Sequence, residues 1–301
     1  MLPNENRLFT AVRFTGDDVN EQWLAFRNEG IGGSEVAGVM GLSKWQSPIS
    51  IWLEKTGRTE HEDISSNPVV EWGNSLEPLV RAKFRDEHPE CLVIEPRCTL
   101  VSKARPWAHA SLDGLVRDPE AGWGVLEIKT ARSRDGWFDD GESVPLYYLT
   151  QALHYMSVTG LAYARFAVLI GGSEYVERTV VPDAEDMEAV VGAVDSFWND
   201  NVVADVMPDE VTSNPLDSRA MYRMYLRADE DLVDSEEADA LMAEYLAASD
   251  DERSAKERKA VASTSLKRLI GGHRGVVGRE YSATWVRSEK RDSGVRVRRT
   301  C

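Results

Sequence analysis

The sequence predicts an α/β (α+β) fold, a central mixed sheet flanked by helices, with a C-terminal appendage made of a helical hairpin and a β-hairpin. Three observations predict it. The first ninety residues place apolar side chains at helical spacing; residues 91–130 alternate with a period near two; and after Pro145 the pattern returns to helix, two strands and helix, punctuated by glycine.

In order along the chain, residues 18–29 read as a short helix with Trp23 and Phe26 three apart, ending in the turn Gly30-Ile31-Gly32-Gly33. Ser34 is placed to cap a second helix to Met40. Ser47-Pro48 opens a helix over 47–57, and 68–88 is a long helix with Leu76, Leu79, Val80 and Phe84 as its apolar stripe. Residues 91–101, 107–117 and 123–130 read as three consecutive antiparallel strands, the last two joined by the turn residues Asp118-Pro119-Glu120-Ala121-Gly122. A helix over 145–159 closes at Gly160; strands over 162–170 and 174–181 hinge at Gly171-Gly172; a helix over 183–200 follows Pro182. Two charged helices, 229–248 and 250–270, and a hairpin at 275–287 complete the chain. The expected division is 1–212 and 213–301, near Asn214-Pro215.

A net charge of −16 argues against a partner rich in phosphate, because backbone binding recruits Lys and Arg. Its distribution weakens that argument: residues 229–252 hold eleven acidic side chains and no basic one. Three cysteines, Cys91, Cys98 and Cys301, are odd in number, widely spaced and without a CxxC pair, so neither a disulfide framework nor a zinc site is expected, and they are too few for a four-cysteine iron–sulfur cluster. No apolar run reaches the ~18 residues of a membrane span, and the N-terminus lacks a signal-peptide core. The expected location is therefore the cytoplasm of a bacterial or phage-infected host cell.

The chemistry concentrates at Ser111-Leu112-Asp113-Gly114 and Leu126-Glu127-Ile128-Lys129. Side chains two apart on a strand share a face, so Glu127 and Lys129 point together while Leu126 and Ile128 turn to the core. A turn brings Asp113 beside Glu127, so two carboxylates and an ammonium should converge at a sheet edge. Carboxylates and the Ile128 carbonyl are hard oxygen donors, suited to Mg²⁺ or Mn²⁺. Such an ion polarises a phosphate and acidifies a water, which Lys129 could orient or deprotonate. A plain cross-strand ion pair is the competing explanation.

These residues resemble the PD-(D/E)xK nuclease signature, with Leu112 where that signature has proline, and thus a restriction-endonuclease-like core. Four further blocks, in order, resemble the YqaJ/lambda-exonuclease family of phage recombination exonucleases: Trp23–Arg27 with Gly30–Glu35, Trp72-Gly73-Asn74-Ser75-Leu76-Glu77, Ser111–Gly114, and Tyr148-Leu149-Thr150-Gln151. The resemblance covers about residues 20–200. It implies that Glu77 is a third acid at the metal centre, with Glu71 the nearby alternative, and that Gln151 lies beside the catalytic residues. It also implies that Arg27, Ser34 and Ser111 hold a terminal 5′-phosphate. Arg suits a charge-assisted fork, and a helix start favours an anion. Arg134 or Arg132 could join them. Tyr148 shares a helix face with Gln151, and Trp45 sits in a loop where it could stack on a DNA base or pack the loop down. His109 and His154 receive no role.

The family further implies a 5′→3′ double-strand DNA exonuclease that makes 3′ single-stranded tails for recombination. Its partners would be duplex DNA ends, further copies in a closed ring of three or more, and a single-strand annealing protein. An endonuclease or single-strand nuclease on the same fold is the alternative; a catalytically silent DNA-binding or assembly protein is a third.

Overall fold

The computed structural model describes residues 2–5, 7–60, 66–137, 143–209, 215–225, 232, 234–288 and 291–300. The chain divides into two compact units, Met1–Ala228 and Asp229–Cys301.

The first unit opens with strand β1 (Phe9–Val12) and helix α1 (Val19–Arg27). The expected glycine turn is in part a short strand, β2 (Ile31–Gly32), which leads into α2 (Gly33–Val39). Helix α3 (Pro48–Lys55) opens at the expected Ser47-Pro48, with Ser47 as its cap, Ser47 Oγ accepting from the Ser50 N–H at 3.1 Å. The long helix α4 (Pro68–Glu87) buries Val80 and Phe84, but Leu79 is 65% exposed, so it falls outside the expected stripe.

The three expected strands are five. Residues 91–101 split into β3 (Leu92–Ile94) and β4 (Thr99–Ser102), because Pro96 removes a ladder donor and Arg97 adopts a φ of 47°. Residues 107–117 split at Leu112-Asp113 into β5 (Ala108–Ser111) and β6 (Gly114–Asp118). The pieces belong to different sheets. One has the order β1-β4-β5-β2, with β2 and β5 parallel. The other includes β7 (Gly122–Ala131), β8 (Ala164–Ile170) and β9 (Glu174–Val180), in the order β3-β6-β7-β8-β9. There β7 and β8 run parallel and the other pairs antiparallel, so the sheet is mixed. The β7–β8 crossover is α5 (Leu146–Thr159), ended by Gly160 at φ 68°.

Helices cover both faces of the mixed sheet. Leu126 and Ile128 pack with Val80 and Phe84 of α4. Val125 and Phe166 pack on the opposite side with Ala152, Leu153 and Met156 of α5. Helix α6 (Ala184–Ser196), capped by Asp183, runs into a π-helical turn over Phe197–Val203. Helix α7 (Pro215–Met224) was not anticipated; its buried Ala220 joins the main core, and the division between units falls after it rather than at 212.

In the second unit the expected helical hairpin is one continuous helix, α8 (Ala238–Ile270). No Gly or Pro interrupts it, and the Ser249-Asp250 pair, read as a boundary, stays helical with Ser249 Oγ donating to the Tyr245 carbonyl at 2.8 Å. The acidic residues Asp229, Glu230 and Asp231 lie outside the described residues. The expected hairpin is a three-stranded antiparallel sheet, β10 (Gly275–Val277), β11 (Tyr281–Ser288) and β12 (Arg291–Arg299). Among the described residues no helix is long and apolar enough to cross a membrane.

Candidate active site

The alternation of β7 sets the site. Glu127 and Lys129 leave the strand on the face opposite Leu126 and Ile128. Because β7 is the middle strand of five, this places them in the interior rather than at the sheet edge the sequence suggested. Glu127 has no solvent exposure. Its Oε1 lies 2.5 Å from Lys129 Nζ, and its Oε2 has no hydrogen-bond partner among the described residues. Burial, reinforced by Asp113 and opposed by Lys129, pushes the Glu127 carboxyl up to about 8. Burial alone would depress the Lys129 ammonium, but Glu127 and Asp113 outweigh it and hold the group charged.

Asp113 occupies the break between β5 and β6. The β6–β7 ladder stops at the Gly114–Leu126 pair, and beyond it Asp113 Oδ2 accepts the Ile128 N–H at 2.8 Å. On a strand, N–H and C=O of one residue point the same way, so the Ile128 carbonyl faces the side on which Asp113 sits. Glu77 reaches this region from α4, where it pairs with Arg81; Arg81 Nη2 also donates to the Asp113 carbonyl at 3.0 Å. Partial burial and Asp113 raise the Glu77 carboxyl against the pull of Arg81.

This is an oxygen-donor set of the kind a hard divalent cation takes, and the unpartnered buried Glu127 oxygen fits such an ion. The three carboxylates are not drawn tightly together, however. Among the described residues, His88, Glu90 and Cys91 form the one trio of possible ligand atoms lying within 4.8 Å of one another. Glu77 is turned to Arg81 and Glu127 to Lys129.

Tyr148 and Gln151 lie on α5, with Tyr148 beside Lys129. Gln151 is 8% exposed and its Nε2 donates to Tyr155 Oη at 2.9 Å. Tyr155 was not anticipated; it is buried, and burial together with Glu127 and Asp113 raises its phenol strongly. Lys129 Nζ sits 4.9 Å from the centroid of Tyr148. An aromatic chain runs outward from Tyr148 to Tyr147 at 4.2 Å, then to Trp45 edge-on at 5.1 Å. Trp45 is therefore both packed on one side and 62% exposed.

A second cluster adjoins β2. Its parallel pairing with β5 sets Ile31 beside Ala108 and Gly32 beside His109, so the chain runs on to Ser34 and Ser111, both exposed, from adjacent strands. Ser34 is not the cap of α2. That residue is Gly32, whose N–H is taken by Glu35 Oε2 at 2.8 Å. Arg27 is anchored: its Nη2 lies 3.2 Å from Glu35 Oε1, which Lys55 Nζ also meets at 2.8 Å. Burial alone would raise the Glu35 carboxyl, but Lys55 and Arg27 outweigh it and bring it down to about 2. Glu35 and Lys55 escaped the sequence reading, since nothing in their spacing marks a buried pair. Ser111 Oγ bonds Thr99 Oγ1 at 3.0 Å. Arg134 is not drawn into this cluster; it pairs with Glu174 at the start of β9.

The two unassigned histidines are structural in their contacts. His109 stacks on Phe26 at 4.8 Å and its Nε2 bonds the Pro106 carbonyl; buried His154 bonds the His109 carbonyl.

Residues 22–162 match the model of the YqaJ-like viral recombinase domain. A Bacillus subtilis (strain 168) protein, "Uncharacterized protein YqaJ", is 33% identical over 192 residues, 62% of this chain. The chain spans 58% of that relative's length. Two solved structures are similar in part: LHK-Exo in complex with dAMP (22% identity, TM-score 0.49) and an alkaline exonuclease, LHK-Exo, from Laribacter hongkongensis (21% identity, TM-score 0.49). Each similarity covers 62% of this chain and 94% of the other. Residues 22–162 of this chain are thus similar to the YqaJ-like viral recombinase domain.

Proposed function

We propose that this chain is a divalent-metal-dependent deoxyribonuclease that digests linear duplex DNA from its 5′ ends and leaves 3′ single-stranded tails for recombination by strand annealing. One observation carries the reading: a fully buried glutamate, Glu127, with an unpartnered oxygen, set against Lys129 and beside Asp113. A buried carboxylate short of donors is costly, and a cation is its natural complement. Asp113, Glu127, the Ile128 carbonyl and Glu77 would hold Mg²⁺ or Mn²⁺. When bound, that ion would supply positive charge to a phosphate and acidify a water.

The remaining steps belong to this chain's side chains. Lys129, kept cationic, would orient the attacking water and offset charge developing on the phosphate. Gln151 and Tyr155 would fix the neighbouring wall. Arg27, steadied by Glu35, would take the terminal 5′-phosphate with the hydroxyls of Ser34 and Ser111, and Trp45 and Tyr148 would meet the end base. A homo-oligomeric ring and an annealing-protein partner belong to the same reading through the family likeness.

The test uses linear duplexes with and without a 5′-phosphate and a closed circle, each with Mg²⁺ or EDTA. The expected result is metal-dependent loss of linear DNA, faster with 5′-phosphate, and an intact circle. Degradation of the circle would instead favour an endonuclease.

A further inference from the structure

Helix α4 ends at His88, and His88-Pro89-Glu90-Cys91 turns back on itself, the Cys91 N–H donating to the His88 carbonyl at 3.0 Å. The turn gathers an imidazole, a carboxylate and a thiol whose ligand atoms lie within 4.8 Å of one another. His88 Nδ1 is 3.3 Å from Glu90 Oε1, and Cys91 Sγ is 3.7 Å from the same oxygen. With metal–ligand lengths of about 2.0–2.3 Å, neighbouring ligands of a tetrahedral zinc ion stand about 3.3–3.7 Å apart. Both observed edges fall in that range.

The hydrogen bonding of His88 is a second, independent pointer. Its Nε2 meets Glu177 Oε2 at 2.6 Å, and Glu177 Oε1 accepts from Tyr175 Oη at 2.6 Å. A carboxylate only accepts, so Nε2 carries a hydrogen, and on a neutral ring Nδ1 is then a lone pair. That lone pair faces the Glu90 carboxylate, an acceptor facing an acceptor. A cation between them resolves the conflict, and a second ring proton is the competing solution. A carboxylate on the far nitrogen is also the usual support of a metal-ligating histidine.

We propose that His88, Glu90 and Cys91 bind a divalent transition ion of the zinc class, at a site separate from the Asp113–Glu127 centre. A mixed N, O and S donor set suits zinc and disfavours magnesium. Asp118 Oδ2, 3.8 Å from Cys91 Sγ and held by Arg165 at 2.6 Å, is placed to offer a further oxygen. The ion would fasten the end of α4, the helix that carries Glu77 and Arg81, to the start of β3, and through Glu177 to β9.

The test titrates Co²⁺ into the metal-stripped full chain in excess Mg²⁺, following thiolate-to-cobalt charge-transfer absorption. The expected result is one equivalent of Co²⁺ giving that band, displaced by Zn²⁺, kept by Cys98→Ser and lost in Cys91→Ser, with circular dichroism showing each variant folded. Glu177→Gln, which leaves all three ligands in place, should weaken uptake by about 10–100-fold. No band in the wild-type chain, or a band that survives Cys91→Ser, overturns the proposal and leaves a doubly protonated His88 as the explanation of the cluster.

Discussion

Asp113 Oδ2 accepts the Ile128 N–H at 2.8 Å just where the β6–β7 ladder has ended, so the aspartate proposed as a metal ligand also closes a strand end. Two substitutions at Asp113 should differ in stability while both lose the site. Asp113→Ala should cost about 1–3 kcal/mol by orphaning that N–H. Asp113→Asn keeps an acceptor and should cost less. Both should lower DNA cleavage by about 10²–10³-fold or more, the scale of losing a group that stabilises transition-state charge. Denaturant unfolding and cleavage rates measured on the same samples check this; equal stability losses in the two variants would contradict it.

Glu127 sets a pH dependence. Its folded value of about 8 lies above its ordinary value near 4.5, so the native state holds the proton more tightly than the unfolded chain. Its stabilising contribution is complete below about 4.5 and is lost as pH rises through about 8. In EDTA, the melting temperature should fall across that window. Mg²⁺ should flatten the slope, and so should Glu127→Gln, because an amide does not titrate. A melting temperature that climbs over the same range in EDTA would refute the assignment.

Arg27 and Lys55 share one buried carboxylate and should respond differently from it. Glu35→Ala leaves two cations without their shared counter-charge and should cost about 3–5 kcal/mol in denaturant unfolding. Arg27→Ala leaves Lys55 on Glu35, so its stability cost should be smaller. It should, however, erase about 10–100-fold of any preference for 5′-phosphorylated over 5′-hydroxyl ends, the worth of a charge-assisted hydrogen bond. Competition between the two end types reads this directly.

Gly33 packs its backbone against the ring of Tyr155. A Cβ there would stand 2.3 Å from Tyr155 Cε1, and Tyr155 is the residue Gln151 donates to. Gly33→Ala should therefore destabilise by about 1–3 kcal/mol. It should also lower cleavage, although residue 33 touches no proposed ligand of the metal. Unchanged unfolding and cleavage would show that Tyr155 yields without consequence.

Much of this arrangement was legible in the sequence. Period-two alternation fixed the facing of Glu127 and Lys129, and the helix over 146–159 announced itself through Pro145 and Gly160. The split of residues 107–117 across two sheets was not legible, because Leu112-Asp113 holds neither glycine nor proline and only tertiary pairing decides it, whereas Pro96 did mark the break within 91–101. The Arg27–Glu35–Lys55 cluster was hidden for a related reason: partners 8 and 28 residues apart meet through packing, not through any local period. In α8, the break expected between 248 and 250 does not form, because a helix without Gly or Pro runs on through Ser249 and Asp250.

The proposed cleavage requires Asp113, Glu127 and the Ile128 carbonyl to share one divalent ion. Crystals soaked in Mn²⁺, examined by anomalous scattering, locate that ion directly. The prediction is a peak about 2.1–2.2 Å from a carboxylate oxygen of each acid and from the Ile128 carbonyl, with Lys129 Nζ alongside. A map with no Mn²⁺ at those oxygens, in crystals of protein that degrades DNA, would contradict it.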